Sequence, residues 1–249
     1  MKFVYNAPIK FNIPNISFGS KTFIKPNIVS KPIKDSFSTN PLYEKFGDRV
    51  EIEIIAKNNP RIQALLNKHN IPLKVNMKEL EELKKGHLND TRVIAAQIYS
   101  SLPAELKKEV NLSELQEAAL LHDYGKVLIP ESILNKKGKL TDAEREIMEL
   151  HSELSYELLK NKGLSEKTLK LIKYHHQNLN KNGYPKIDKN FDVGLDCQIL
   201  NVADKYAALR ESRSYKSPLA KYEALEIIAK DVNKGQVSQE VYTALVKSA

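Results

Sequence analysis

A chain of 249 residues, 41% hydrophobic and 28% charged, carries enough apolar material for one large domain or two small ones. Its one cysteine, Cys197, excludes an internal disulfide, and no run nears the roughly 18 apolar residues of a bilayer span, so a cytoplasmic location is expected. The net charge of +8 suggests nucleic-acid binding until it is located: residues 1–40 hold six lysines against Asp35 alone, +5 of the total, and the other 209 residues carry only +3.

Residues 1–45 read as a disordered basic tail, since their first forty positions include four prolines and show no sustained helical period. Such a tail serves as a solubilising arm or as a weak contact for nucleic acid or another partner; no DNA binding is expected of the remainder. Residues 46–75 read as a linker segment with a short strand and a short helix. Arg49 to Ala56 alternates apolar and charged positions, which predicts a half-buried strand, and Pro60 opens a helix over 61–66 that ends near Asn70 and Pro72.

From residue 76 to 249 helical punctuation takes over and predicts one all-α domain. Met77, Leu80, Leu83, His87, Thr91, Ile94, Ala95 and Ile98 form a stripe that predicts a single helix ended by Pro103. Asn111 or Ser113 caps the next helix, whose apolar run Ala118 to Leu121 delivers His122 and Asp123. Gly125 then reads as a helix-ending glycine at positive φ, with Lys126 turned back to offer charge to an anionic substrate. Thr141 and Glu144 form a capping box for a helix through Leu159, with Ile147, Leu150, His151, Leu154 and Leu158 on one face. Ser165 starts a helix that ends in His175-His176, followed by a polar loop and Gly183-Tyr184-Pro185. A helix from about Leu195 carries Cys197 as a small core residue and Asp204 beside its apolar stripe. Ser217-Pro218 opens a further helix, and a last one follows Ser238.

The polar exceptions on these stripes point to a site. Of six histidines, His87, His122, His151, His175 and His176 fall on or beside inward faces of different helices, and only His69 lies in a loop. Five separate core histidines would each need a buried partner, whereas convergence on metal satisfies them together. Asp204 likewise needs a cation or donors. Aspartate and neutral imidazole are good ligands for divalent ions, and the carboxylate of Asp123 can bridge two of them.

These residues resemble the HD superfamily of metal-dependent phosphohydrolases, and within it the HD-GYP type, from about Met77 to the C-terminus. His122-Asp123-Tyr124-Gly125-Lys126 is similar to the family's HDxGK. Lys137-Gly138-Lys139-Leu140-Thr141 with Glu144 matches the next block, leading to His151. His175-His176 and Gly183-Tyr184-Pro185 keep the HH and GYP motifs, while Val202-Ala203-Asp204 and Arg213-Ser214-Tyr215-Lys216 resemble the closing blocks.

The resemblance implies an all-α HD-domain helical bundle holding two divalent ions, iron or manganese, and hydrolysing cyclic di-GMP through a two-metal-activated water. By matched position the ligands are His87, His122, Asp123, His151, His175, His176 and Asp204. Asp123 and Lys126 carry the catalytic roles, and Tyr184, Arg213 and Lys216 face the nucleotide. A homodimer is compatible with this assignment. The chain departs from the family at Gln177 (an acid in relatives), Asn180-Lys181 (Asp-Gly), Ala207 (an acid) and Ser155 (glycine). Leu83 stands where some relatives place the glutamate of a third ion, so no third ion is expected. The alternatives are an HD phosphohydrolase acting on another nucleotide, or a nucleotide-binding sensor that has lost catalysis.

Overall fold

The computed structural model describes residues 45–187, 191–211 and 217–249. The expected tail thus lies outside the described residues apart from Lys45, as do Arg213 and Lys216. Among the described residues all regular elements are helical, and no helix is long and apolar enough to cross a membrane.

The run expected as a strand is instead a helix, α1 (Arg49–Asn58). Asp48 caps it by accepting from the Glu51 amide at 2.8 Å. Ile52 and Ala56, one turn apart, are fully buried, while Val50 and Ile54 are 62% and 53% exposed. Over eight residues the alternation at 50, 52 and 54 fits either period. Burial at i and i+4 decides it, because the described fold offers no neighbouring strand to complete a ladder. The same geometry gives a test. Ile52→Ala should cost about 2–5 kcal/mol in chemical denaturation, whereas Ile54→Ala should stay within about 0.5 kcal/mol. Equal losses would restore the strand, on which both side chains share a face.

Asn59 accepts from the amides of Arg61 and Ile62 and opens α2 (Pro60–Lys68), with proline in the first turn. Although residues 46–75 read as a linker, Ile52, Ala56, Ile62, Leu65 and Leu66 are buried in the same apolar cluster as the later helices.

The single helix expected over the 77–98 stripe is two, α3 (Met77–Lys85) and α4 (His87–Ser101). Gly86 between them, at φ −142° and ψ −78°, breaks the helical path without interrupting the apolar stripe. His87 therefore begins a helix instead of sitting inside one. After α5 (Ala104–Lys107), Asn111 caps α6 (Leu112–Leu121) through the amides of Ser113 and Glu114. A 3-10 turn (Tyr124–Leu128) and α7 (Glu131–Leu134) lead to α8 (Asp142–Leu159), whose Thr141–Glu144 capping box forms in both directions. Ser165 caps α9 (Glu166–Tyr174), and α10 spans Leu195–Arg210.

The helix expected from Ser217-Pro218 begins later, as α11 (Lys221–Asn233). The Leu219 amide bonds the Leu209 carbonyl, which holds this stretch against the end of α10, and the Glu223 side chain takes the Ala220 amide at the true start. Ser238 caps α12 (Gln239–Ser248).

Helix α4 packs against α6, α10 and α12, while α8 packs against the 3-10 turn and α9. Cys197 is 1% exposed and lies in this core, as expected.

Candidate metal centre

Helix ends place most of the site. His87 is the first residue of α4, His122 and Asp123 follow the last turn of α6, and His175 and His176 follow that of α9. His151 and Asp204 project from within α8 and α10. All seven ligand candidates are brought together. They form two groups, His87–His122–Asp123–Asp204 and His151–His175–His176, in each of which the donor atoms lie within 4.8 Å of one another.

Two carboxylates span the groups. Asp123 Oδ2 lies 3.5 Å from His87 Nε2 and 3.4 Å from His122 Nε2, while its Oδ1 lies 3.2 Å from His151 Nε2. Asp204 Oδ1 is 3.0 Å from His87 Nε2, and its Oδ2 is 3.8 Å from His176 Nδ1.

The donor chemistry fits a divalent cation. His122, His151 and His175 each place Nδ1 at 2.7–2.8 Å from the carbonyl three residues earlier, at Ala119, Met148 and Ile172. A ring nitrogen facing a carbonyl must carry the proton, so Nε2 of all three points inward, and in the neutral His151 and His175 rings it is a bare lone pair. Nε2 of His151 and Nε2 of His175 are 3.2 Å apart, and His176 Nε2 is 3.1 Å from the same His151 atom. Between the neutral His151 and His175 rings no proton is left to share, and the repulsion of two lone pairs calls for a cation.

Burial pushes His151 down to about 4 against the pull of Asp123, and His176 down to about 3; His175 is also held well below the ordinary value by burial and its histidine neighbours. These three rings stay neutral, as ligands must. His122 behaves oppositely: burial disfavours its charge, yet Asp123 and Asp204 outweigh that and raise it to about 10. Burial likewise opposes ionisation of Asp123 and Asp204. Lys126 and His122 overcome it for the first, and His122 and His87 for the second, so both remain carboxylates.

Lys126 reaches in from the 3-10 turn, its Nζ 2.5 Å from Asp123 Oδ2. Gly125, just before it, is not in the left-handed region expected for it. It is glycine for want of space, since a Cβ there would come within 2.2 Å of the His151 carbonyl and 2.5 Å of the Ser155 amide. That close approach lets the Gly125 amide donate to Ser155 Oγ at 2.7 Å. The same hydroxyl lies 2.7 Å from the His122 carbonyl and 2.8 Å from that of His151. Ser155 thus ties together the backbones that carry two ligands and Lys126, a role that becomes visible only when α8 packs against the 3-10 turn that follows α6.

Tyr184 lays its ring on His176, centroids 4.5 Å apart at 34°. Gly183 permits this, because a Cβ would meet the His176 carbonyl at 2.1 Å. Gln177, fully buried, donates to the Pro185 carbonyl at 2.5 Å, a bond that an ionised acid at this position could not make. Asn180 donates to the Lys234 carbonyl at 2.8 Å, and Lys181 holds φ +56°, the left-handed conformation that a glycine would favour. From His176 and Asp204 a groove of about 330 Å³ runs past Asn178 and Asn201 to an ion pair between Lys205 and Asp231.

The fold and site together define an all-helical domain built around a buried histidine–aspartate centre suited to divalent ions. A model of the HD domain family matches residues 49–240, and the chain belongs to that family; its motif set is that of the HD-GYP type. The match opens on the first residue of α1. Over 159 residues, 62% of the chain and 37% of the relative, it is 30% identical to a 3'3'-cGAMP-specific phosphodiesterase of Vibrio cholerae. Over 141 residues, 56% of the chain and 38% of the relative, it is 35% identical to a cyclic di-GMP phosphodiesterase of Thermotoga maritima. The chain thus aligns with less than two fifths of either relative's length. Among solved structures, the fold is similar to Bd1817, an HDG"Y"P protein of Bdellovibrio bacteriovorus. The TM-score is 0.53 at 16% identity, covering 83% of this chain and 67% of that one.

Proposed function

We propose that the protein is a metal-dependent phosphodiesterase that opens cyclic di-GMP, with two iron or manganese ions held by the seven donors. The observation that carries this reading is Asp123, whose two oxygens face the two donor groups. Divalent ions bound there would polarise the scissile phosphate and make a water acidic enough to ionise near neutral pH.

The chain's own residues do the rest. His87, His122, Asp123 and Asp204 form one half of the cradle; His151, His175 and His176 form the other. The Nδ1 bonds of His122, His151 and His175 aim Nε2 inward and hold the rings still, and His122 would release its Nε2 proton to an incoming ion. Lys126 keeps an ammonium at the mouth of the carboxylate pair, where it offsets charge on a phosphoryl oxygen. Tyr184 offers a ring face to base or ribose above His176, and the groove toward Lys205 gives an elongated nucleotide room to lie. Arg213 and Lys216, matched to the family's closing block, complete the contacts to the nucleotide.

The test is turnover by protein reconstituted with Mn²⁺ or Fe²⁺, measured on cyclic di-GMP, 3'3'-cGAMP and simple nucleoside phosphates. Cyclic di-GMP should be linearised fastest, chelation should stop the reaction, and fresh metal should restore it. Loaded protein that binds cyclic dinucleotides without opening any of them would move the assignment to a sensor. Preference for a nucleoside phosphate would move it to another phosphohydrolase.

A further inference from the structure

A ligand histidine needs its outer nitrogen held if its inner one is to stay bare, and three of the ligands meet this need with a carbonyl of their own helix. His87 has no such carbonyl. It is the first residue of α4, and Gly86 turns the chain away from α3 immediately before it. Its Nδ1 is buried and makes no hydrogen bond among the described residues. Glu211 Oε2 lies 3.8 Å from this nitrogen, while on the opposite edge of the ring Nε2 lies 3.0 Å from Asp204 Oδ1. Both carboxylates come from one helix: Glu211 is the C-cap of α10, two turns beyond Asp204 and on the same face. Position 207, between them on that face, holds alanine.

We propose that Glu211 is the positioning residue for His87. It accepts the Nδ1–H across a gap that one rotamer adjustment or one bridging water closes, and so presents Nε2 to the ion held with His122, Asp123 and Asp204. In this way α10 grips both edges of one imidazole. The inference rests on the metal-centre reading above. Asp90, three residues into α4, is the competing acceptor: it interacts with both His87 and Glu211, and its own carboxyl is pushed up by burial and by Glu211.

The experiment titrates metal-free protein with Mn²⁺ and compares Glu211→Ala, Glu211→Gln and Asp90→Asn with wild type. Loss of an outer carboxylate typically weakens a metal site about ten- to a hundredfold. Glu211→Ala should therefore weaken one of two ions by that factor and leave the other within about twofold. Glu211→Gln, which keeps an acceptor oxygen without charge, should fall between, and Asp90→Asn should match wild type. The Glu211 side chain is 32% exposed, so the fold should tolerate both changes, with thermal melting as the control. In zinc-loaded protein, ¹⁵N-histidine spectra should show His87 protonated at Nδ1 in wild type and as a tautomer mixture in Glu211→Ala. A helix end with only a structural role would move neither the single ion nor the tautomer. Unchanged affinity for both ions in Glu211→Ala, or loss in Asp90→Asn instead, would overturn the proposal. Wild type that binds no ion would sink this proposal and the functional reading together. Two bound ions with no turnover would sink the functional reading alone.

Discussion

Asp123→Ala should lose metal and hydrolysis together. Of the two carboxylates that span the donor groups it makes the closer approach to the second, 3.2 Å to His151 against 3.8 Å from Asp204 to His176, so its removal leaves His122 and His151 without the carboxylate they share. It also strands positive charge, since Lys126 and the His122 ring both lean on this carboxylate in a site where Asp123 is 1% exposed. Breaking a buried pair from one side costs about 3–5 kcal/mol of stability, and Asp123→Asn, which keeps the shape, guards against simple unfolding. Lewis-acid stabilisation is worth several kcal/mol, so turnover should fall roughly a thousandfold or more. Lys126→Ala gives the contrast: the ions stay, and loss of one charge-assisted contact of about 1.5–3 kcal/mol lowers turnover roughly ten- to a hundredfold. Full metal occupancy and full turnover in Asp123→Ala would reduce the His122-Asp123 pair to a structural feature.

What could be read in the chain was whatever depends on neighbours in sequence. Asn111, Thr141 with Glu144, Ser165 and Ser238 cap helices because a side-chain oxygen reaches amides two or three residues away. Five histidines and Asp204 stood out on or beside apolar stripes, with Asp123 next to His122, and these seven, matched as ligands by resemblance, all converge. What escaped depends on contacts that no spacing displays. The run at 49–56 fits two periods, and packing chose the helical one. Gly86 splits a stripe whose apolar positions continue through the break, so only the glycine itself hinted at two helices. Gly125 looked like a conformational glycine, yet its reason lies 26 residues away, in the carbonyl of His151. Ser155 and Gln177 were visible only as departures from a family pattern, and Glu211 carried no signal at all. Their partners are the His122 carbonyl, the Pro185 carbonyl and the His87 ring, each brought near by the fold.

The neutrality of the buried rings predicts that the metal-free protein is acid-labile well above the range in which carboxylates titrate. An unfolded histidine takes up a proton near pH 6.5. In the folded chain His151 waits until about 4 and His176 until about 3, and His175 is lower than its ordinary value too, burial being the first cause in each. Between about 6.5 and 4 the unfolded state therefore binds more protons, and stability falls as pH falls. His151, at 2% exposure, costs on the order of 1 kcal/mol per pH unit inside that window, and His175, at 0%, acts in the same direction. His176, whose side chain is 22% exposed at the pocket mouth, adds less. His122 has the opposite sign: raised to about 10 by Asp123 and Asp204 against its burial, it stabilises fully below 6.5 and loses that contribution as pH rises toward 10. Against a typical total of about 5–15 kcal/mol, the two slopes place the stability maximum of the metal-free protein near pH 6.5–7. Melting after chelation should show a steep fall in Tm from pH 6.5 to 5 and a shallower one above pH 8. Adding Mn²⁺ at pH 6 should raise Tm, because the ion binds the assembled donors of the folded state alone, displacing the His122 proton. A flat Tm between pH 7 and 5 in metal-free protein would mean that these rings accept protons freely, and the picture of bare, inward lone pairs would be wrong.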